Sequence, residues 1–386
     1  MRQPAHGGNL SWAAALAGCP PSAILDFSAS ISPLGPPKSA IAAIESQLVH
    51  LKHYPDPDYC ELRLALSHFH QLPPEWILPG NGSAELLSLA GRELAQLAAT
   101  VLITPAFGDY YRALAAYHAE VLEFSLSLEA TTLPGFQHSY PEVVSGAVLA
   151  PPLKQVAFMS DLSLIFDKRQ STKDKGLLLN NPHNPTGVLF SREVILPYLK
   201  EFALVVVDEA FMDFLPPEEE QSLIQVVQEY PNLVILRSLT KFYSLPGLRL
   251  GYAIAHPDRL RCWQLWRDPW PVNTLAAAAA VAVLQDKEFQ EQTWAWLPSV
   301  RNQLFGGLAS VPGLQPLQGA ANFLLVASQQ SSLELQQKLL KHHQIFIRDC
   351  LSFPELGDRY FRVAVRSWSD NQRLLEALSL VMSNSH

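Results

Sequence analysis

Cysteine is scarce and dispersed. The chain of 386 residues has 4, at Cys19, Cys60, Cys262 and Cys350, and none forms a C-x-x-C pair. A disulfide framework or a zinc ribbon is therefore excluded as the basis of the fold, and no H-E-x-x-H run supplies a metal helix. Such usage fits a reduced, cytoplasmic protein. Long apolar runs are missing too: Leu275 to Leu284, the longest, is alanine-rich and well short of the roughly 20 residues that span a bilayer. It reads as a buried helix, and no membrane partner is expected. A signal peptide is not indicated, because Pro4, His6, Gly7, Gly8 and Asn9 interrupt the required order of regions ahead of the apolar stretch Trp12 to Ala17. Positive charge is not in excess either. At a formal net charge of −8 there is no global field to hold nucleic acid, so an anionic ligand must be gripped by local arginines.

What remains is a globular composition, 48% hydrophobic and 17% charged, on a chain too long for one ordinary core. The middle alternates short apolar strands with helical segments, which predicts an α/β fold around a mostly parallel sheet covered on both faces. Strands are expected at 101–104, 177–180, 203–207, 233–236 and 252–255, and helices at 83–98, 191–202 and 275–284. The polar residues Thr104, Asn180, Asp208 and Ser238 fall at or just beyond the strand ends, where ligands of open α/β sheets gather. Three segments are expected. Residues 1–45, rich in Pro, Gly and Ser, read as an arm and part of a smaller domain; 46–274 form the large domain; 275–386 complete the smaller α+β domain, with an amphipathic helix from Asp370. The stretch from Thr131 to Lys175 reads as an insertion with one strand around Gln155–Met159.

Four features follow one another along the predicted sheet: Gly80-Asn81-Gly82-Ser83, Asn181-Pro182-His183-Asn184-Pro185-Thr186-Gly187, Asp208-Glu209-Ala210-Phe211, and Ser238-Leu239-Thr240-Lys241, with Arg249 eight residues on. The first turn opens a helix and is either a plain cap or a set of backbone N–H groups for a phosphate; it lacks the dinucleotide glycine spacing and the Walker lysine. Asp208 ends an apolar run, so its carboxylate either caps a loop or meets a buried cation such as a protonated pyridine nitrogen. Lys241 is either a solvated loop lysine or, beside Phe242 and Tyr243, an amine whose pKa is lowered for Schiff-base chemistry. Ser238 and Arg249 are suitable donors to a dianionic phosphate.

In this order the set resembles the class I and II pyridoxal-phosphate aminotransferases, over nearly the whole chain. The resemblance implies an aspartate-aminotransferase-like fold of type I with pyridoxal 5'-phosphate as cofactor, carried by Lys241 as a Schiff base. It further implies Asp208 at the pyridine nitrogen, Asn184 at the ring hydroxyl, and Ser83, Ala84, Ser238 and Arg249 at the phosphate. Phe107 would stack on the ring. Tyr54, in His53-Tyr54-Pro55, would reach the phosphate of a second subunit, which implies a homodimer. Phe211 stands where these enzymes commonly have a tyrosine, so the Schiff base is expected to stay protonated to higher pH.

The ends of the chain narrow the resemblance. His6-Gly7-Gly8-Asn9, Leu25-Asp26-Phe27-Ser28-Ala29, Pro33-Leu34-Gly35-Pro36, Ile345-Phe346-Ile347-Arg348 and Tyr360 to Arg366 are similar to a branch that decarboxylates L-threonine O-3-phosphate in cobalamin synthesis, close to the histidinol-phosphate aminotransferases. The implied partner is thus a small phosphorylated amino acid. By the same resemblance Arg362 binds the carboxylate and Arg348 the distal phosphate. Arg366 shares a strand face with Arg362 and either joins that pocket or makes an ion pair. His6 and Asn9 either cap the substrate phosphate or are structural. Ser30 and Ser32 depart from the family pattern Ser-Ala-Asn-Ile-Asn-Pro. Transamination of histidinol phosphate or an aromatic amino acid is the alternative activity; a silent binding protein and a dinucleotide oxidoreductase fit the motifs less well.

Overall fold

The computed structural model describes residues 6–126 and 172–383. Its main sheet is assembled from strands whose sequences leave little choice. Lys175–Asn180 (β5), Leu204–Asp208 (β6) and Leu233–Ser238 (β7) read KGLLLN, LVVVD and LVILRS, runs apolar on both faces that can be buried only between two layers. With Ile77–Gly80 (β2), Ala99–Thr104 (β3), Val121–Ser125 (β4) and Gly251–Ala255 (β8) they form seven strands in the order β2-β8-β7-β6-β5-β3-β4. β8 alone runs antiparallel to its neighbours. In register Asn180 faces Asp208, Asp208 faces Leu236, and Ser238 faces Gly251, which in turn faces Gly80. One edge of the sheet therefore collects the carboxyl ends of six strands and the start of β8.

Helix Gly82–Leu94 buries Leu86, Leu87, Leu89, Ala90 and Leu94 and packs against helix Gly108–Ala115. Its first turn comes so close to β8 that a Cβ on Gly251 would lie 2.5 Å from the Ser83 nitrogen. Only glycine fits. The helix expected over 191–202 is two short ones, Arg192–Ile195 and Tyr198–Glu201, because Pro197 between them cannot donate to the turn before it. Strand β2 escaped the sequence reading since Pro79 sits within it; the strand lies at the sheet edge, where a missing N–H is tolerated.

Residues from the two ends of the chain pack together. Leu25–Asp26 (β1) pairs in parallel with Ile345–Phe346 (β11), while Tyr360–Ala364 (β12), Phe323–Ser328 (β10) and Leu314–Pro316 (β9) form an antiparallel sheet in that order. The long helix Lys287–Ala309, capped by Asp286, packs on β9 and on the final helix Trp368–Ser383. The insertion strand expected at Gln155–Met159 lies outside the described residues. Among those described, no helix is long and apolar enough to cross a membrane.

A buried ionic cluster supports the sheet edge from within. The guanidinium of Arg237, 1% exposed, meets Glu209 at 3.0 Å and also pairs with Asp213 and Glu220. Ser222 donates to Glu209 at 2.6 Å, and Trp294 donates to the Asp213 carbonyl at 2.8 Å. Burial outweighs Arg237 and pushes Glu209 up to about 7 and Asp213 up to about 6, from ordinary values of 4.5 and 3.8. Both folded-state values lie above the unfolded ones, so the folded chain takes up protons as pH falls through that window and the cost of burying the carboxyls declines. Arg237→Met should therefore destabilise the protein by about 3–5 kcal/mol near neutral pH. The loss should be smaller at about pH 5.5 than at about pH 8 in urea unfolding, and a loss that grows on acidification would contradict this account.

Candidate active site

The collected edge of the sheet carries the motif residues in two groups. At one end, Gly82 has φ +74°, which turns the chain from β2 into its helix, and a Cβ there would lie 2.7 Å from the Arg249 guanidinium. Arg249 thus sits over the opening turn, whose second and third residues are Ser83 and Ala84. Early N–H groups of a helix have no acceptor within it and carry the positive end of its dipole. The buried hydroxyls of Ser238 and Thr240 lie 2.7 Å apart, and Lys241 Nζ is 3.5 Å from Ser238 Oγ. Backbone N–H groups, a guanidinium and hydroxyls together make a receptor for a phosphate.

At the other end stand Asp208 and Lys241, both half-buried. Ala210 N–H donates to Asp208 Oδ1 at 3.0 Å, and the Tyr110 hydroxyl donates to Oδ2 at 2.9 Å. Loss of surrounding water pushes the Asp208 carboxyl up, against the pull of Lys241 and these two donors. The same desolvation pushes the Lys241 amine down; Asp208 opposes it, and Arg249 and Arg362 reinforce it. Each group shifts toward its neutral form, and each holds part of the other's charge. Lys241 Nζ lies 5.3 Å from the centre of the Phe211 ring, which packs edge-on against Phe323 at 5.0 Å. Phe107, just before helix Gly108–Ala115, is half-buried with its ring 5.8 Å from that of Tyr110.

The arginines enter from the chain termini. Arg348 and Arg362 are hydrogen-bonded partners across adjacent extended segments, N to O at 3.0 and 2.8 Å, and both are buried. The Arg362 guanidinium donates to Asn184 Oδ1 and to the Ser28 carbonyl, the latter at 3.3 Å, and lies over Phe323. Its Nε has no hydrogen-bond partner, and burial lowers the group to about 10. Arg348 donates to Ser352 Oγ. Arg366 instead pairs with Asp370 at 3.1 Å and donates to the Asp26 carbonyl at 3.1 Å. Asn9 caps the first helix by accepting from Trp12 N–H at 3.0 Å. His6 lies beside the site, its ring 5.5 Å from Phe107 and its Nε2 3.9 Å from Asp109. Tyr54 is not drawn into this cluster: it is 79% exposed and stacks on Trp270 at 4.5 Å.

Two participants were not anticipated. Tyr110 gave no sequence signal, since a tyrosine in an amphipathic helix is ordinarily core. The Ser32 segment locks the lysine loop: Ser32 N–H donates to the Lys241 carbonyl at 2.9 Å, and Ser244 Oγ to the Ser32 carbonyl at 2.5 Å. The backbone of residue 32 makes these contacts, so serine in place of asparagine leaves them intact. Ser30 Oγ is buried without a partner. Among the described residues no group of three or more His, Cys, Asp or Glu could hold a metal ion.

Comparison with known proteins identifies the family and the fold. Residues 22–378 match the model of the family described as aminotransferase class I and II. A threonine-phosphate decarboxylase from Salmonella typhimurium is 39% identical over 98% of this chain and 97% of its own. A histidinol-phosphate aminotransferase from Methylobacillus flagellatus is 31% identical over 95% of this chain and 90% of its own. Among solved structures, the histidinol-phosphate aminotransferase from Clostridium acetobutylicum superposes with a TM-score of 0.78 at 26% identity, covering 94% of this chain and 100% of that one. The α/β fold with its mostly parallel sheet is the fold of these enzymes, and the chain belongs to the class I and II aminotransferase family.

Proposed function

We propose that this protein is a pyridoxal-phosphate-dependent carboxy-lyase that converts L-threonine O-3-phosphate to (R)-1-amino-2-propanol O-2-phosphate and carbon dioxide, a step of cobalamin biosynthesis. The observation that carries the reading is the 39% identity to a threonine-phosphate decarboxylase along nearly the full length of both chains. The donor set fits the cofactor. A half-buried carboxylate anchored on both oxygens suits a cationic ring nitrogen, and the turn at Ser83 and Ala84 with Ser238 and Arg249 suits its phosphate. Asn184 suits the ring hydroxyl and Phe107 a ring face.

When bound, pyridoxal phosphate supplies the electron sink for the pair left on Cα as carbon dioxide departs. The chain's own residues do the rest. Lys241, desolvated so that its neutral amine is accessible, holds the cofactor and, once released by substrate, delivers a proton from Nζ to Cα. Asp208 keeps a negative charge opposite the ring nitrogen. Arg362, with its unpartnered Nε, holds the substrate carboxylate, Arg348 takes the distal phosphate, and His6 closes the side nearest Phe107. Phe211 and Phe323 line the site without a competing phenol donor. Tyr54, exposed on one protomer, reaches the phosphate group of a second, so the working unit is a homodimer. A cytoplasmic location suits the four dispersed, unpaired cysteines.

Two measurements test the reading. Protein loaded with pyridoxal phosphate and given L-threonine O-3-phosphate should release carbon dioxide in step with substrate loss, without any added keto acid. Amino transfer to a keto acid with no carbon dioxide would move the activity to the histidinol-phosphate aminotransferase alternative. Second, Arg348→Gln should lower kcat/KM for the phosphorylated substrate about 10- to 100-fold, mainly through KM, because one charge-assisted contact is removed. Unphosphorylated threonine should bind both proteins alike; equal losses for the two ligands would remove Arg348 from phosphate recognition.

A further inference from the structure

The Asp208 carboxylate is held from two directions by different parts of the chain. Ala210 N–H, two residues on, engages Oδ1, whereas the Tyr110 hydroxyl comes from a separate helix to engage Oδ2 at 2.9 Å. Tyr110 is 2% exposed and sits in an apolar cluster with Leu78, Leu86, Leu102 and Ala106. A leucine or phenylalanine would suit such surroundings better, since a buried hydroxyl is costly unless it is bonded. Burial and the neighbouring carboxylate hold the phenol protonated well above its ordinary range, so Tyr110 is the donor and Asp208 the acceptor.

We propose that Tyr110 is a positioning residue for the reaction: its hydroxyl fixes the rotation of the Asp208 carboxylate so that one oxygen remains directed at the ring nitrogen of bound pyridoxal phosphate. The inference rests on the cofactor reading above. A carboxylate turns as a unit about a broad, two-fold torsion, which a single backbone donor on Oδ1 restrains only weakly. The second donor removes that freedom. It also links two contacts to one element, because the helix start that carries Phe107 toward a ring face carries Tyr110, three residues on, to the carboxylate at the ring nitrogen. Tyr110 touches no reacting atom and acts only through Asp208.

Tyr110→Phe keeps the ring that packs against Phe107 and removes only the donor. Full-length wild type, Tyr110→Phe, Asp208→Asn and the double variant would be stripped of cofactor and titrated with pyridoxal phosphate, with binding read by absorbance and apo-protein stability by thermal unfolding. Tyr110→Phe should weaken binding about tenfold when Asp208 is present, as expected for a hydrogen bond to a charged group, and should have no further effect on Asp208→Asn. Wild-type affinity in Tyr110→Phe would overturn this inference alone. So would equal losses in both backgrounds, which would assign Tyr110 to packing. Failure of the wild type to bind pyridoxal phosphate would overturn the cofactor reading and this inference with it.

Discussion

An acid and a base share one desolvated pocket, and each eases the burial of the other's charge. Burial drives the Asp208 carboxyl toward its acid and the Lys241 amine toward its base, while their mutual attraction and the donors from Tyr110 and Ala210 restrain both shifts. The remaining architecture can be read as what is needed to hold these groups together in little water. Asp208 ends β6 and Lys241 follows β7, adjacent parallel strands in fixed register, so the sheet brings the two segments together and the Ser32 contact holds the loop that carries the lysine. A slip of one residue would turn every side chain to the opposite face and break the pair.

The same register explains why the site adjoins a second buried charge cluster. Neighbouring residues of a strand face opposite ways, so Arg237 and Glu209, adjacent to Ser238 and Asp208, turn away from the pocket and meet each other inside the protein. One guanidinium shared by three carboxylates is a poor source of net stability, but removing it would leave uncompensated charge behind the site. Its effect is to tie the ends of β6 and β7 to the segment 213–222. The catalytic edge is thereby braced on the face it does not use.

The proposed substrate arginines are held by contacts between distant parts of the sequence. Arg362 bonds Asn184 from the large sheet's loop and Ser28 from the N-terminal region, which brings three separated segments to one guanidinium. Arg348 is brought beside it by the bridge between the two arginines. Two buried cations so close together repel each other, an arrangement suited to a doubly anionic ligand such as a phosphorylated amino acid. Arg366 is matched by Asp370.

Local sequence determined the strands and their order of appearance: the apolar runs ending at Asn180, Asp208 and Ser238 admit no other burial, and the glycines at 80, 82 and 251 suit the close approach of helix and sheet. The candidate motifs stood out because each sits at a strand end, where ligands of open α/β sheets gather. Tyr110 was not, because its value lies in a hydroxyl that meets Asp208 across 98 residues, and nothing local separates it from a core aromatic. The choice between a pocket arginine and an ion pair at Arg366, and the role of Asn9 as a helix cap, were also open until the structure showed their partners, Asp370 four residues on and Trp12 three residues on. Periodicity fixes which way a side chain leaves its own strand or helix. Which group it then meets depends on how distant segments pack.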